Sequence, residues 1–135
     1  MRNQSNIELV QSLYQAINGR DWRTVRLTLH PDFQRISDAA GGQSEDAEDF
    51  IHVLRAQCAA FENGTEEIED IMGEDDKVAA RILFSGKQTG ALGDLPASGR
   101  ALRLHYIAIF RIAENRVIQM WAEWDNVAAL QSLGH

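Results

Sequence analysis

Apolar and polar positions change their period partway along the chain. Near the N-terminus apolar residues recur every three to four positions, at Ile7, Val10, Leu13, Tyr14 and Ile17. This spacing predicts an amphipathic helix over about residues 6–18. Similar patterns predict a short helix over 21–29 and a third helix that opens near Ser44 and ends before Asn63-Gly64. From Thr65 onward the period becomes two, which predicts strands at 66–72 and 77–86.

The strongest strand signal is a hairpin close to the C-terminus. Its arms span 102–112 and 117–125, joined by Ala113-Glu114-Asn115. A three-residue turn would pair Ile112 with Arg116 and place His105 opposite Glu123. One face of this hairpin is then apolar, with Leu102, Leu104, Tyr106, Ala108, Phe110, Ile112, Ile118, Met120, Ala122 and Trp124. The other face mixes apolar and charged residues.

The order of elements indicates an α+β fold in one domain spanning residues 1–135. The three helices come first, apart from one short strand at 33–37, and strands do not alternate with helices. We therefore expect a mostly antiparallel sheet with one face covered by the helices. A chain of 135 residues is long enough to bury about two-thirds of its unfolded surface.

Composition excludes several classes of partner. Thirteen basic and twenty acidic residues give a net charge of −7 without a basic block, so nucleic acid is not an expected partner. The longest strongly apolar run, residues 106–110, is too short to cross a membrane. Cys58 is alone, which predicts no intrachain disulfide. The N-terminus lacks a secretory pattern, and we expect a soluble, cytoplasmic protein.

No motif for a phosphate, nucleotide or metal is present. The four histidines lie on different predicted elements without the spacing of metal ligands, so we expect neither a cofactor nor a metal site. His105 and Glu123 could form an acid–base pair, or could simply pair charges across strands. The mixed face, with Arg103, His105, Trp121, Glu123 and Asp125, is the predicted homodimer surface because apolar side chains lie among its charges.

Three further residues are candidates for chemistry. Tyr14 lies on the apolar side of the first helix and could present its hydroxyl to a pocket, or be a core tyrosine. Asp38 follows the short strand and could be a general base, although such an aspartate commonly caps a turn. Arg81 lies between Ala80 and Ile82, where it could bind an anionic group of a ligand or pair with a carboxylate.

The order of several segments resembles SnoaL-like polyketide cyclases. The loop GKQTGALGDLPASGR, the hairpin FRIAENRVIQMW followed by WD, and the tail LQSLG are similar to the C-terminal half of that family. Upstream, AINGRDW through HPDF is similar to its first two helices. The resemblance implies the nuclear transport factor 2-like fold, shared with ketosteroid isomerases: a cone-shaped, strongly curved sheet packed on three helices around an apolar cavity, in a homodimer.

The resemblance also implies cofactor-free proton transfer on a hydrophobic carbonyl compound. However, the family's catalytic histidine and aspartate positions correspond to Ala108 and Ala122, which cannot transfer protons. A base at Asp38 with Tyr14 as its polar partner is the remaining catalytic hypothesis. The pocket is then expected to be lined by Ile17, Val53, Arg81, Tyr106, Ala108, Phe110, Met120, Ala122 and Trp124. The alternative is a non-catalytic binding or accessory protein for a hydrophobic ligand.

Overall fold

A computed structural model describes residues 3–135. Its elements follow one another as α1 Gln4–Asn18, α2 Trp22–Thr28, β1 Leu29–Ile36, α3 Ala47–Ala60, β2 Thr65–Glu74, β3 Lys77–Lys87, β4 Ala101–Ala113, β5 Arg116–Glu123 and α4 Asn126–Ser132. The predicted helices and strands are all present, with bounds that differ by up to four residues. Among these residues no helix has the length and apolarity needed to span a membrane.

The five strands form one mixed sheet in the order β1-β5-β4-β3-β2. β1 runs parallel to β5, and the other three pairings are antiparallel. The sheet is not a closed barrel, since β1 and β2 form its two edges. The α+β class and the mostly antiparallel sheet are therefore confirmed.

Polar side chains fix where the helices begin. Asn3 caps α1 by accepting a hydrogen bond from the backbone of Asn6. Asp21 caps α2 in the same way, by accepting from the backbone of Thr24. At α3, Asp46 and Asp49 each accept a hydrogen bond from the other's backbone N–H, which is a capping box.

The predicted register of the C-terminal hairpin is wrong. The turn has two residues, Glu114 and Asn115, both with positive φ, so that Ala113 pairs with Arg116. This is the backbone pattern of a two-residue type I′ turn. A bulge between Arg111 and Ile112 shifts the pairing again. Because the predicted turn had one residue too many and the bulge was missed, the proposed partners moved along the strands.

His105 and Glu123 consequently do not face each other. Glu123 pairs with Ile107, and His105 instead lies beside Leu83 of β3. The imidazole Nε2 of His105 is 2.8 Å from the carboxylate of Glu69. Asp125 lies beyond the end of β5 and caps α4 by accepting from Ala128 N, so it does not belong to the mixed face.

The outer face of the sheet, away from the helices, carries a row of apolar side chains. Ladder pairing aligns this row across all five strands, at Met72, Ala79, Ile109, Trp121 and Ile36. Ile107 lies next to it on β4 and is 52% exposed. The predicted dimer surface is therefore an exposed surface in this chain, with apolar residues among charged ones.

Two apolar clusters fill the space under the helices. The larger lies between α1, α2, α3 and the inner face of the sheet, and the smaller joins the end of α3 to α4 through Phe61, Phe84, Leu102, Ala129 and Leu133. The sequence reading did not predict α4. Its seven residues bury Ala129 and are followed by the buried Leu133, so the chain's last helix closes one end of the fold.

Candidate functional site

A cavity of about 410 Å³ opens between the helices and the inner face of the sheet. Most of its surface is apolar. Of the residues predicted for the pocket, it is lined by Tyr14, Ile17, Val53, Tyr106, Met120, Ala122 and Trp124. These residues come from α1, α3, β4, β5 and the segment after β5, so the cavity occupies the centre of the fold. Strand alternation brings the inner-face residues together.

Four other predicted site residues do not line the cavity. Asp38 is exposed in the turn after β1, where its backbone N–H donates to Glu123 at 2.7 Å. Arg81 points to the outer face because its neighbours Ala80 and Ile82 point inward, and it pairs with two carboxylates of β2. Ala108 and Phe110 lie on the inner face but are fully packed in the core.

The principal ionisable group of the cavity is a glutamate that the sequence reading missed. Glu66, at the start of β2, lines the cavity and accepts hydrogen bonds from the Tyr106 hydroxyl and from Gln57 Nε2, the latter at 3.3 Å. Burial raises the pKa of the Glu66 carboxyl above its ordinary value, and these two hydrogen bonds offset part of the rise. A carboxylate destabilised by its surroundings is a stronger base than one in water.

Two tyrosines extend this group into a chain of hydrogen bonds. The hydroxyl oxygens of Tyr14 and Tyr106 are 3.0 Å apart, and Tyr106 donates to Glu66. Tyr14 is also held edge-on against Phe110, with ring centroids 6.0 Å apart. Burial raises the pKa of both tyrosines well above 10, and the negative charge of Glu66 raises both pKa values further. Both hydroxyls therefore stay protonated at neutral pH.

An ion pair between a buried arginine and a partly buried glutamate forms a second polar group in the cavity. Arg35 of β1 contacts Glu45, with Nη2 and Nε at 2.6 and 2.7 Å from the same carboxylate oxygen. The guanidinium carbon lies 5.1 Å from the ring centre of Phe50 and 5.9 Å from that of Trp124. Two backbone hydrogen bonds between Arg35 and Glu45 reinforce the pair. The positive charge of Arg35 favours the ionised form of Glu66 and so lowers its pKa somewhat.

The loop of residues 88–100 and α4 cover one end of the cavity. Leu92 of the loop and Ala129, Leu130 and Leu133 of the C-terminal segment contribute apolar lining. The fully buried Gln88 connects the loop to the C-terminal segment. Its Nε2 donates to the carbonyl of Pro96 at 3.1 Å, and its side-chain oxygen lies 2.9 Å from His135 Nε2. The cover lines that end of the cavity with apolar side chains.

A weak sequence signal marks the two groups that were missed. Glu66 shares a strand face with the half-buried Ile68, and Arg35 shares one with the buried Phe33 and Ser37. A charged residue on the apolar side of a strand is therefore the pattern that distinguishes them. Within residues 3–135, no three His, Cys, Asp or Glu side chains lie close enough together to hold a metal ion.

An open five-stranded sheet with helices on one face and an apolar cavity between them defines the nuclear transport factor 2-like fold. The chain belongs to the SnoaL-like polyketide cyclase family, whose sequence model matches residues 8–133.

Solved structures agree with this assignment. TsrD from Streptomyces laurentii is 29% identical with a TM-score of 0.83, and the alignment covers 98% of this chain and 97% of that one. IdmH from Streptomyces antibioticus, described as a proposed polyketide cyclase, is 26% identical with a TM-score of 0.84, covering 98% and 100%. A SnoaL-like protein from Jannaschia sp., at 24% identity and a TM-score of 0.86 over 96% and 91%, shares the fold. No protein of curated function matches the chain.

Proposed function

We propose that this protein is a cofactor-free enzyme of the cyclase or isomerase type that removes a proton next to the carbonyl of a hydrophobic compound, with Glu66 as the base. The observation that carries the proposal is the carboxyl group of Glu66 in an apolar cavity, where burial raises its pKa. General bases work best when their pKa lies closer to the working pH than that of an exposed carboxylate. Family membership and the description of IdmH as a proposed polyketide cyclase support the same reaction class.

The hydrogen bonds around Glu66 leave it free to act on a ligand. Tyr106 and Gln57 each donate to a different carboxylate oxygen, so each oxygen keeps a lone pair. In the proposed step a C–H bond of the ligand breaks, the proton goes to Glu66, and the electron pair moves onto the carbonyl oxygen. Tyr14 acts through Tyr106 by orienting it. Asp38 has no part in this step because it is exposed outside the cavity.

Deuterium uptake by a model ketone tests the proposal. 2-Tetralone is a flat, bicyclic ketone with acidic protons next to its carbonyl. We expect the protein to accelerate the exchange of those protons for deuterium in D₂O, measured by NMR. Glu66→Gln should lower the exchange rate by 100-fold or more, because the positioned base is lost.

Glu67→Gln is the matched control. It removes the same charge from the neighbouring residue, which is exposed on the other face of β2. The control should keep the wild-type rate. Equal rates for wild type and Glu66→Gln would reject Glu66 as the base.

The second candidate function is non-catalytic binding of a hydrophobic ligand. It is favoured by Ala122, which lines the cavity at the position where the family resemblance places a proton-transferring aspartate. If this function is the correct one, wild type and Glu66→Gln will bind 2-tetralone equally and neither will accelerate exchange. Native mass spectrometry of freshly purified protein would then identify a ligand that stays bound.

We also propose that the chain forms a homodimer through the outer face of its sheet. The exposed apolar row that includes Ile109 and Trp121 supports this arrangement, with Arg103, His105 and Glu123 on the same face. Pairing two such faces would remove the apolar row from water, which is favourable at about 25 cal/mol per Å². The proposed dimer leaves the cavity, on the opposite side of the sheet, open to its ligand.

A further inference from the structure

Arg35 has hydrogen-bonding capacity that the protein itself does not use. The residue is 7% exposed and lines the cavity. Its Nε and Nη2 are directed at one oxygen of Glu45, whereas Nη1 has no partner within residues 3–135. In that part of the chain the Ser37 hydroxyl is the buried side-chain polar atom that lacks both a partner and exposed surface. Nη1 therefore keeps some exposed surface, on a residue that lines the cavity.

The hydroxyl donors near Glu66 are already committed. With Glu66 ionised, Tyr106 gives its hydroxyl proton to the carboxylate, and Tyr14 gives its own to the oxygen of Tyr106. A tyrosine has one hydroxyl proton, so neither has a second one for a ligand. An arginine has five N–H donors in a fixed plane, and those on Nη1 remain free.

We propose that Arg35 binds the carbonyl oxygen of the ligand and holds the negative charge that forms on it. This inference rests on the proposed function, since it concerns the same proton transfer. When the C–H proton moves to Glu66, the negative charge leaves the carboxylate and appears on the ligand oxygen as an enolate. A guanidinium fixed in advance at that oxygen stabilises the charge without having to reorganise.

The surroundings of Arg35 suit this task. Glu45 balances its charge and fixes its plane through the ion pair and two backbone hydrogen bonds, so the guanidinium cannot turn away. Phe50 and Trp124 lie close to the guanidinium and shield it from water. The site therefore favours a ligand with an acceptor oxygen on an apolar frame, because the apolar cavity binds the frame and Arg35 binds the oxygen.

Binding of 2-naphthol provides a test that does not depend on turnover. Its ionised form carries an oxygen anion conjugated to a flat bicyclic ring, as an enolate does, and it absorbs at longer wavelength than the neutral form. We expect the wild-type protein to bind the ionised form preferentially, so that naphthol ionises at lower pH when bound than when free. In Arg35→Met the ratio of ionised to neutral bound naphthol should fall roughly tenfold or more, since a charge-assisted hydrogen bond is lost.

The controls separate this inference from loss of structure. Arg23→Met removes an exposed arginine of α2 that does not line the cavity and should leave the ratio unchanged. Because Arg35→Met leaves Glu45 unpaired, Arg35→Met with Glu45→Gln is measured as well, and circular dichroism confirms that each variant is folded. The double variant should also lose the preference for the ionised form.

The naphthol experiment can fail or succeed independently of the proton-exchange experiment on Glu66. A preference for ionised naphthol that survives in both Arg35 variants would overturn the inference, and its loss in Tyr106→Phe instead would assign the oxygen to the tyrosines. Glu66→Gln should keep the preference, because the donor is still present. If proton exchange proves independent of Glu66 while the naphthol result holds, the proposed base is wrong and the oxygen site at Arg35 stands.

Discussion

Tyr106→Phe tests the hydrogen bond that stabilises the ionised form of Glu66. The substitution removes one oxygen atom and keeps the ring that lines the cavity. Two hydrogen bonds disappear with that oxygen, one to Glu66 and one to Tyr14. The ionised carboxylate then retains Gln57 Nε2, at 3.3 Å, as its remaining side-chain donor.

The expected loss of stability follows from these two bonds. A hydrogen bond to a charged group contributes roughly 1.5–3 kcal/mol and a neutral one about 0.5–1.5 kcal/mol. We therefore expect Tyr106→Phe to lower the free energy of unfolding by about 2–4 kcal/mol at neutral pH. A domain of this size has roughly 5–15 kcal/mol in total, so the variant should remain folded.

The loss should depend on pH with a definite sign. The pKa of Glu66 is raised in the folded protein above its ordinary value of 4.5, so the folded state binds more protons than the unfolded state between the two values. Glu66 therefore stabilises the fold at low pH, and this contribution is lost as the pH rises through its folded pKa. Removing the Tyr106 donor raises that pKa further, so the deficit of the variant should shrink as the pH falls.

Urea unfolding at a series of pH values measures this effect. Tyr14→Phe is the control, because Tyr14 bonds to Tyr106 and not to the carboxylate. It should lower the free energy of unfolding by about 0.5–1.5 kcal/mol, with little dependence on pH. If both variants lose the same free energy at every pH, Tyr106 does not stabilise an ionised Glu66 and the assignment of this group is wrong.

Two further predictions concern other parts of the molecule. Ile109→Lys places a charge in the exposed apolar row and should convert the dimer to a monomer, measured by sedimentation. Val127→Lys on α4 should leave the dimer intact. A monomeric wild type would exclude the proposed interface. Gly90→Ala would place a Cβ 2.6 Å from the carbonyl oxygen of Ala59. It should lower the melting temperature more than Gly93→Ala, whose Cβ meets no atom within 4 Å and which costs about 1–2 kcal/mol for its positive φ alone. A larger drop in melting temperature for Gly93→Ala would contradict this packing.

Most of the fold was predictable because local patterns specify it. The 3.6-residue period of α1 and the two-residue period of the strands each match a buried face in the structure. The hairpin register was not predictable from the same pattern. Glu114-Asn115 lacks the glycine that usually marks a two-residue turn, and a bulge beside Ile112 leaves no separate signal in the sequence. The short α4 has too few turns for a clear period.

The cavity was predictable only in its apolar part. Met120, Ala122 and Trp124 line it because they share one face of the hairpin. Residues 66–70 contain three acidic residues besides Glu66. Which of the four faces inward depends on where β2 starts and on its bulge. Arg35 was hidden for a related reason: its partner Glu45 lies in an irregular segment, so only the folded chain brings the pair together.

The parallel pairing of β1 with β5 bears on the order in which the chain acquires its site. β1 is an edge strand, and Leu29 pairs with Val117 from the far end of the sequence. Closing a loop of about ninety residues is entropically unfavourable, and such distant contacts form late in folding. During synthesis on a ribosome, Arg35 therefore has no neighbouring strand until β5 has left the exit tunnel. The nascent chain can build α1, α2, α3 and the β2–β3 hairpin first, and it completes the oxygen-binding end of its cavity only after β5 has emerged.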